Sequence, residues 1–432
     1  MNHTFIEKHR LLYASIIFAL ASLFLFFEMA LQVSPSIMTN QLMSEFNIHA
    51  ATLGIMASCY FYSYTLMQIP SGLLYDHFGP RLLISLSCFV CSLGALFFGL
   101  SHSVVFLAIG RFLLGVGSAF AFVGVLTISA RWFAPALFAL FVGITQFLSG
   151  IGAVAGSLPL AYAVDHYGWR HTITFLGCLG FIIALLCALF IRNRPPQEAE
   201  IHEDHYRLGI KKSFKEVLKQ GQTWSLAVYS FSNWAPALIF PALWGVPYLM
   251  VKYQITNTQA AFATSMVWIG VAIFSPILGW ASDKLQRRKS LLTFCTALGL
   301  LSSLILLFTP NLSFISIYIL LLLLGGASSG NLLCFAVAKD NNRPSVTSTA
   351  MGFNNMAVVL GGAVFQPIVG AILSKSWDGI TSHGLPVYTA DNYTLALLTV
   401  PFCYLLGLVT TVFFIKETFC KQKYDSYSDQ LQ

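Results

Sequence analysis

Long apolar runs, each about the length of a bilayer crossing, alternate along this chain with short polar breaks. In the first half they fall near residues 11–33, 51–74, 80–100, 103–130, 136–164 and 169–192. In the second half they fall near 222–250, 258–281, 289–309, 312–338, 346–374 and 392–416. A helix needs about 20 apolar residues to cross a hydrocarbon core about 30 Å thick. The pattern therefore predicts an all-α membrane protein with twelve transmembrane helices. One break, 193–221, is long and charged. It closes with a stretch in which Phe214, Val217 and Leu218 share a helical face, with Lys212, Lys215 and Lys219 elsewhere. That stretch is expected either to lie along the membrane surface or to be a solvated linker. The expected division is a six-helix bundle over 1–192, a cytoplasmic linker over 193–221, and a second bundle with a tail over 222–432.

Composition sharpens this reading. Of 432 residues, 9% are charged and 56% are hydrophobic, with mean hydropathy +0.73. A soluble domain carries about 25% charged residues, so a water-facing surface cannot be made from this chain. The net charge of +7 raises the question of nucleic acid. Its bases, however, are scattered at the ends of apolar runs instead of forming one patch. With both termini placed in the cytoplasm, 20 of the 24 Lys and Arg fall on the inner side. Arg170, Lys252 and Lys375 remain outside and Arg111 falls within a run, which is the asymmetry bilayer topology produces. The first run exceeds a signal peptide's apolar core and lacks a small-residue cleavage site, so it is read as a retained span. Cys88 and Cys91 are three apart, without further Cys or His ligands nearby, and are read as small core residues, not a metal site. No cofactor or metal is expected. Without a Ser/His/Asp set or a nucleotide loop, an enzyme is not expected either.

Two polar breaks resemble each other across the chain. "GLLYDHFGPR", Gly72 to Arg81, is followed 207 positions later by "GWASDKLQRRK", Gly279 to Lys289. A motif repeated half a chain apart suggests two copies of one architecture. Six plus six spans, a charged central linker and the repeated Gly-x3-Asp resemble the major facilitator superfamily over essentially the whole chain. Its loop between the second and third helices reads roughly G-x3-D-[RK]-x-G-[RK]-[RK]. Gly72, Asp76, Gly79 and Arg81 match it; His77 and Pro80 replace basic residues. The second copy keeps Gly279, Asp283, Arg287 and Arg288 but lacks the middle glycine. The resemblance implies an inner gate in which Asp76 caps or pairs across the two halves. The alternative is a tight polar turn made by Asp76 and Arg81. "RFLLGVGSAF", Arg111 to Phe120, resembles the family's R-x3-G-x-G motif. On the fifth span, Gly152 and Gly156 form a small-residue face. The antiporter branch's Gly-Pro-x-x-Gly-Gly signature is not present there, which argues against drug:proton exchange.

Chemistry is expected where charge is buried. Glu28 alone among 17 acidic residues lies well within a span. It sits roughly 22–26 Å from the inner surface, and Arg111 about 12 Å from the outer end of the fourth span. Each charge costs about 2.5–3.5 kcal/mol at mid-bilayer, so the two are expected to pair across a central cavity. They would either face the substrate pathway or form a purely structural bridge. No histidine lies deep in a span, which leaves Glu28 as the expected proton carrier. Gln32 shares a helix face with Glu28, and Tyr60 and Tyr64 share another. Gln146, Asn233, Trp234, Asn331, Asn354 and Asn355 are further candidates for the cavity wall, although membrane Asn and Gln also serve as interhelical glue. Pro236 and Pro241 interrupt the seventh span, as in the broken helices of transporters.

The resulting expectation is a monomeric inner-membrane secondary transporter of a small organic solute. Segments such as "FEMALQVSPSIM" and "ALWGVPYL" resemble permeases of intracellular proteobacteria of the phagosomal-transporter type. That resemblance implies proton-coupled uptake (symport) of an amino acid or short peptide, with Glu28 and Arg111 meeting opposite ends of a zwitterion. An exporter of drugs or siderophores, and a non-transporting receptor or scaffold, are the alternatives.

Overall fold

The computed structural model describes residues 2–133, 137–193, 210–343, 346–382, 385–421 and 423; the side chains of 2–10, Ile69, Leu73, Asp76, His77, Phe138, Ala139, Ile210, Lys211, Ser213, Ser348, Ser382 and Leu385 are also outside that description. The described residues are almost entirely helical. The first half contains α1 (Asn2–Val33), α2 (Thr39–Phe46), α3 (Ala50–Gly99), α4 (Val104–Ser118), α5 (Ala121–Trp132), α6 (Phe138–Tyr167) and α7 (Trp169–Phe190). The second contains α8 (Ile210–Lys219), α9 (Gly221–Ile239), α10 (Gly245–Tyr253), α11 (Asn257–Leu285), α12 (Lys289–Phe308) and α13 (Phe314–Ser328). It ends with α14 (Asn331–Asn341), α15 (Thr347–Lys375), α16 (Ala390–Leu397) and α17 (Thr399–Phe413). A two-residue antiparallel pairing of Thr381–Ser382 with Leu385–Pro386 is the strand content among the described residues.

Eleven described stretches are long and apolar enough to cross a bilayer. The first half of α3 corresponds to the remaining predicted run. Several predicted crossings are broken where the sequence pattern reads straight through. The run near 103–130 splits into α4 and α5 at Ala119–Phe120, and that near 312–338 splits into α13 and α14 at Ser329–Gly330. The last run splits at Leu398, three residues before Pro401, whose missing N–H cannot continue the ladder. Between α9 and α10 the residues Phe240–Trp244 form a π-turn beginning one residue before Pro241. This is the predicted interruption of the seventh span.

The polar break between the second and third runs is a sharp kink within α3. Gly79 takes φ 76° and ψ 167° there, a conformation that a side chain resists, and Pro80 restarts the helix. The restarted turn is capped from a distance: Arg81 N–H donates to Asn193 Oδ1 at 3.0 Å.

Two compact units are present. One comprises Met1–Ser34 and Cys59–Asp204; the other comprises Pro35–Ser58 and His205–Gln432. The first nine residues of α3, Ala50–Ser58, thus group with the second unit. Their free amides are satisfied there, Ala50 N–H by the Tyr388 hydroxyl at 3.1 Å and Ala51 N–H by Ser374 Oγ at 2.9 Å. In the first unit, Gly152 and Gly156 bring α6 against the backbone of α1 at Phe26 and Ala30. In the second, the described part of α8 turns its apolar face onto α15. Val217 packs with Val346 and Ala350, while Phe214 and Leu218 cover Phe353 and Ala357. Lys212, Lys215 and Lys219 are exposed on the other side. The amphipathic face is therefore covered by protein. Cys88 and Cys91 are buried and free, as small core residues. Trp169 is buried, its ring edge-on to Phe98.

Candidate functional site: a Glu–Tyr–Arg cluster in the first unit

Helical spacing brings the polar side chains of the first unit together. Glu28 and Gln32 lie one turn apart on α1, Tyr60 and Tyr64 one turn apart on α3, and Arg111 and Ser118 two turns apart on α4. Close approach of α3 and α4 depends on Gly115. A methyl at that position would lie 2.0 Å from the Tyr60 carbonyl oxygen, so only glycine lets Tyr60 sit this near to α4.

Tyr60 is the centre of the cluster. It is fully buried, and Glu28 and Arg111 are 2% and 1% exposed. The Tyr60 hydroxyl stands 3.1 Å from Glu28 Oε2 and 3.2 Å from Gln32 Oε1, both acceptors. The Arg111 guanidinium carbon lies over the Tyr60 ring, 4.7 Å from its centroid. Tyr64 leans on the same ring at 5.8 Å. Ser118 is within hydrogen-bonding reach of Glu28. The link between the two buried charges therefore runs through Tyr60, which offers its hydroxyl to the carboxylate and its π-face to the guanidinium.

Arg111 has a second task. One terminal nitrogen donates to the Leu31 carbonyl at 3.1 Å and the other to the Gln32 carbonyl at 3.3 Å. These carbonyls belong to the last turn of α1, ahead of the 3-10 turn Ser34–Ile37, where helix carbonyls lack intrahelical partners. A guanidinium at a helix C-terminus also opposes the partial negative charge there. Gln146, on α6, is half-buried.

The second unit holds polar candidates of another kind. Asn233 donates from Nδ2 to the Ala327 carbonyl at 3.2 Å, and half-buried Trp234 lies 6.5 Å, centroid to centroid, from Trp268 on α11. Asn331 is buried one turn beyond Ala327 and Asn355 is half-buried. Its neighbour Asn354 accepts from Ser230 Oγ at 2.8 Å. Asn233 Oδ1, Asn331 Oδ1 and Trp268 Nε1 are buried without a hydrogen-bond partner. Each such atom costs about 1–3 kcal/mol. Trp268 was missed by sequence reasoning, since a tryptophan in an apolar run looks like packing.

The gate candidates are placed unevenly. Gly72 and Gly279 face open space, and Arg81 donates from Nε to the Ala188 carbonyl at 3.1 Å. The Asp76 side chain lies outside the described residues. In the second copy, Asp283 and Arg287 are exposed, and Arg288 makes the principal ion pair. Arg288 Nε is 2.7 Å from Asp340 Oδ2, at the end of α14, and its Nη1 is 3.8 Å from Asp283 Oδ1. Thr418 also donates to Asp340, at 2.9 Å, and Glu417 accepts from the Arg288 and Lys289 amides at 2.8 and 3.0 Å. Neither Asp340 nor Glu417 was legible as a partner, because both come from elements distant in sequence.

Helices long and apolar enough to cross a bilayer, with a carboxylate and a guanidinium buried within them, define a multi-pass membrane protein. The chain matches the Major Facilitator Superfamily model over residues 16–246 and 237–422, and it belongs to that family. It is accordingly a transporter and not an enzyme. It is 23% identical over 379 residues to the chloroplastic ascorbate transporter of Arabidopsis thaliana, covering 83% of this chain and 69% of that one. It is 24% identical over 398 residues to the probable galactarate/D-glucarate transporter GudP of Escherichia coli strain K12, covering 84% and 87%. Among solved structures, a bacterial homologue of the human lysosomal transporter Spinster superposes with a TM-score of 0.77. That match has 16% identity and covers 96% of this chain and 99% of the other.

Proposed function

We propose that this protein takes up a small carboxylate-bearing organic solute across a bacterial inner membrane by alternating access, driven by protons. In this reading the termini are cytoplasmic and the working unit is a monomer. The carrying observation is the cluster itself: a carboxylate and a guanidinium, both buried in membrane helices and joined by one tyrosine. Intramembrane ionisable side chains are costly and belong to ion and substrate pathways by default. Arg111 offers a planar fork suited to a carboxylate. Glu28 can bind and release a proton, with the Tyr60 hydroxyl at 3.1 Å able to follow its charge state. The ascorbate and galactarate/D-glucarate transporters, similar over most of this chain, are named for organic acids, which supports a carboxylate anion as cargo.

The amino-acid or short-peptide reading shares the same carboxylate contact. It gains from Glu28, which could receive the ammonium end of a zwitterion. Asp76, Arg81, Asp283 and Arg287, with Gly72 and Gly79, are assigned to the inner gate in this scheme.

Uptake into proteoliposomes, with and without an inward proton gradient, tests the proposal. A carboxylic acid should be taken up and its amide rejected, because the amide presents no anion to Arg111. Equal uptake of acid and amide would exclude the carboxylate contact; indifference to the gradient would exclude proton coupling.

A further inference from the structure

α8 has two unlike faces. Its apolar face is taken by protein: Val217 packs with Val346 and Ala350, and Phe214 and Leu218 pack against the cluster of Ala227, Phe353 and Ala357. Lys212, Lys215 and Lys219 recur at i, i+3 and i+7 and so form one stripe on the other face. All three are exposed, and no ion pair among the described residues takes them. Glu216, the acidic residue of α8, stands 3.9 Å from Arg343. The depth of α8 decides what meets this charge. Ala227 lies six residues inside the span that starts at Gly221, and Ala357 eight residues inside the one that starts at Thr349. At the helical rise, α8 therefore runs beside the first 9–12 Å or about that length of two spans. The headgroup zone of a bilayer is about 5–8 Å thick on each side, so α8 lies at the membrane boundary and not in open solvent. Trp224 stands at the same level. It donates from Nε1 to the Leu218 carbonyl at 3.0 Å, near the end of α8, yet it is 51% exposed. An exposed indole at the start of a span is the aromatic-belt pattern of a surface that meets lipid headgroups.

We infer that the lysine stripe of α8 is a docking surface for the anionic headgroups of phospholipids, which holds α8 and the first turn of α9 against one leaflet. The apolar face of α8 is already covered, so the helix has nothing to insert into the bilayer and its attachment is electrostatic. Lysines beside a membrane are drawn to anionic headgroups over about a Debye length, which is about 8–10 Å at ordinary ionic strength. The level of α8 along its neighbouring spans puts the stripe within that distance of the phosphates. A soluble acidic protein or a nucleic acid would have to displace those phosphates to reach it. The contact is independent of the cargo and of the Glu28–Tyr60–Arg111 cluster, which belongs to the other unit.

The experiment is native mass spectrometry of the purified full-length protein, resolving the first lipids bound, titrated with phosphatidylglycerol and with phosphatidylcholine. Each lysine beside an anionic surface is worth about fivefold in affinity. The first phosphatidylglycerol should therefore bind about tenfold or more tighter than phosphatidylcholine. The triple substitution Lys212→Gln, Lys215→Gln and Lys219→Gln should weaken phosphatidylglycerol about tenfold or more and leave phosphatidylcholine unmoved. A control carrying Lys284→Gln, Arg287→Gln and Lys421→Gln, exposed bases of other segments, should bind phosphatidylglycerol like the wild type. All three proteins should unfold at the same temperature in phosphatidylcholine nanodiscs. Only the α8 variant should lose the added stability that phosphatidylglycerol gives. An α8 variant that binds phosphatidylglycerol like the wild type overturns the inference. So does an equal loss in the control, since lipid preference would then follow total charge and not this stripe. Displacement of the lipid by free glycerol phosphate at a similar concentration would show a soluble phosphate site instead. Polyglutamate that binds through these lysines where phosphatidylglycerol does not would show an acidic protein partner. Either result also overturns it.

Discussion

Arg111→Lys separates the two tasks of the buried arginine. The guanidinium holds the Leu31 and Gln32 carbonyls with two different nitrogens and lies flat over Tyr60. A lysine ammonium keeps the charge but is a single point donor on a flexible stem. It can reach one carbonyl, or a bound carboxylate, but cannot fork to two acceptors while stacking on the ring. Losing one hydrogen bond from a charged donor costs about 1.5–3 kcal/mol, and weakening the cation–π contact adds about 0.5–2 kcal/mol. If the hydrogen-bond loss falls on the solute, affinity for a carboxylate drops roughly ten- to 150-fold. The charge that α1's last turn requires is kept, so the protein should still insert and purify in folded form. The assay pairs two measurements on one preparation: thermal unfolding without ligand, and carboxylate affinity by equilibrium binding. A clear loss of affinity with a modest fall in melting temperature supports the anion anchor. Wild-type affinity in a destabilised protein would refute it, leaving Arg111 as a cap on α1 and nothing more.

Glu28→Gln keeps an acceptor for the Tyr60 hydroxyl but cannot titrate, so proton-driven accumulation should vanish while counterflow exchange persists; undiminished accumulation would remove Glu28 from the coupling step. Gly115→Ala places a methyl 2.0 Å from the Tyr60 carbonyl oxygen and should destabilise the protein by about 1–3 kcal/mol or more, read as a lower unfolding temperature. Wild-type stability there would show that α3 and α4 can part without cost. Lys215→Cys, on the exposed side of α8, should be labelled by an impermeant maleimide only after the inner membrane is opened. Labelling in intact spheroplasts would reverse the assigned topology.

The class of this protein was legible in the order of its residues alone. Bilayer crossing is a local requirement, met by each run of about 20 apolar residues without reference to the rest of the chain. The positions of Glu28 and Arg111 were likewise conspicuous, because charge within such runs is expensive and rare. Partnership was not local, and so it was not legible. Charge complementarity suggested a direct Glu28–Arg111 pair, whereas packing through Gly115 sets Tyr60 beside both and turns Arg111 onto the end of α1. The Arg288–Asp340 pair and the Glu417 cap join segments 52 and about 128 residues apart. The helix breaks at Ala119–Phe120 and Ser329–Gly330 fall inside single predicted runs, beside Ser118 and Ser328, because hydropathy averaged over a run reports solvent preference but not backbone path. Only the folded chain decides which polar atoms are left without partners, since satisfaction of a donor or acceptor depends on neighbours that the three-dimensional packing brings.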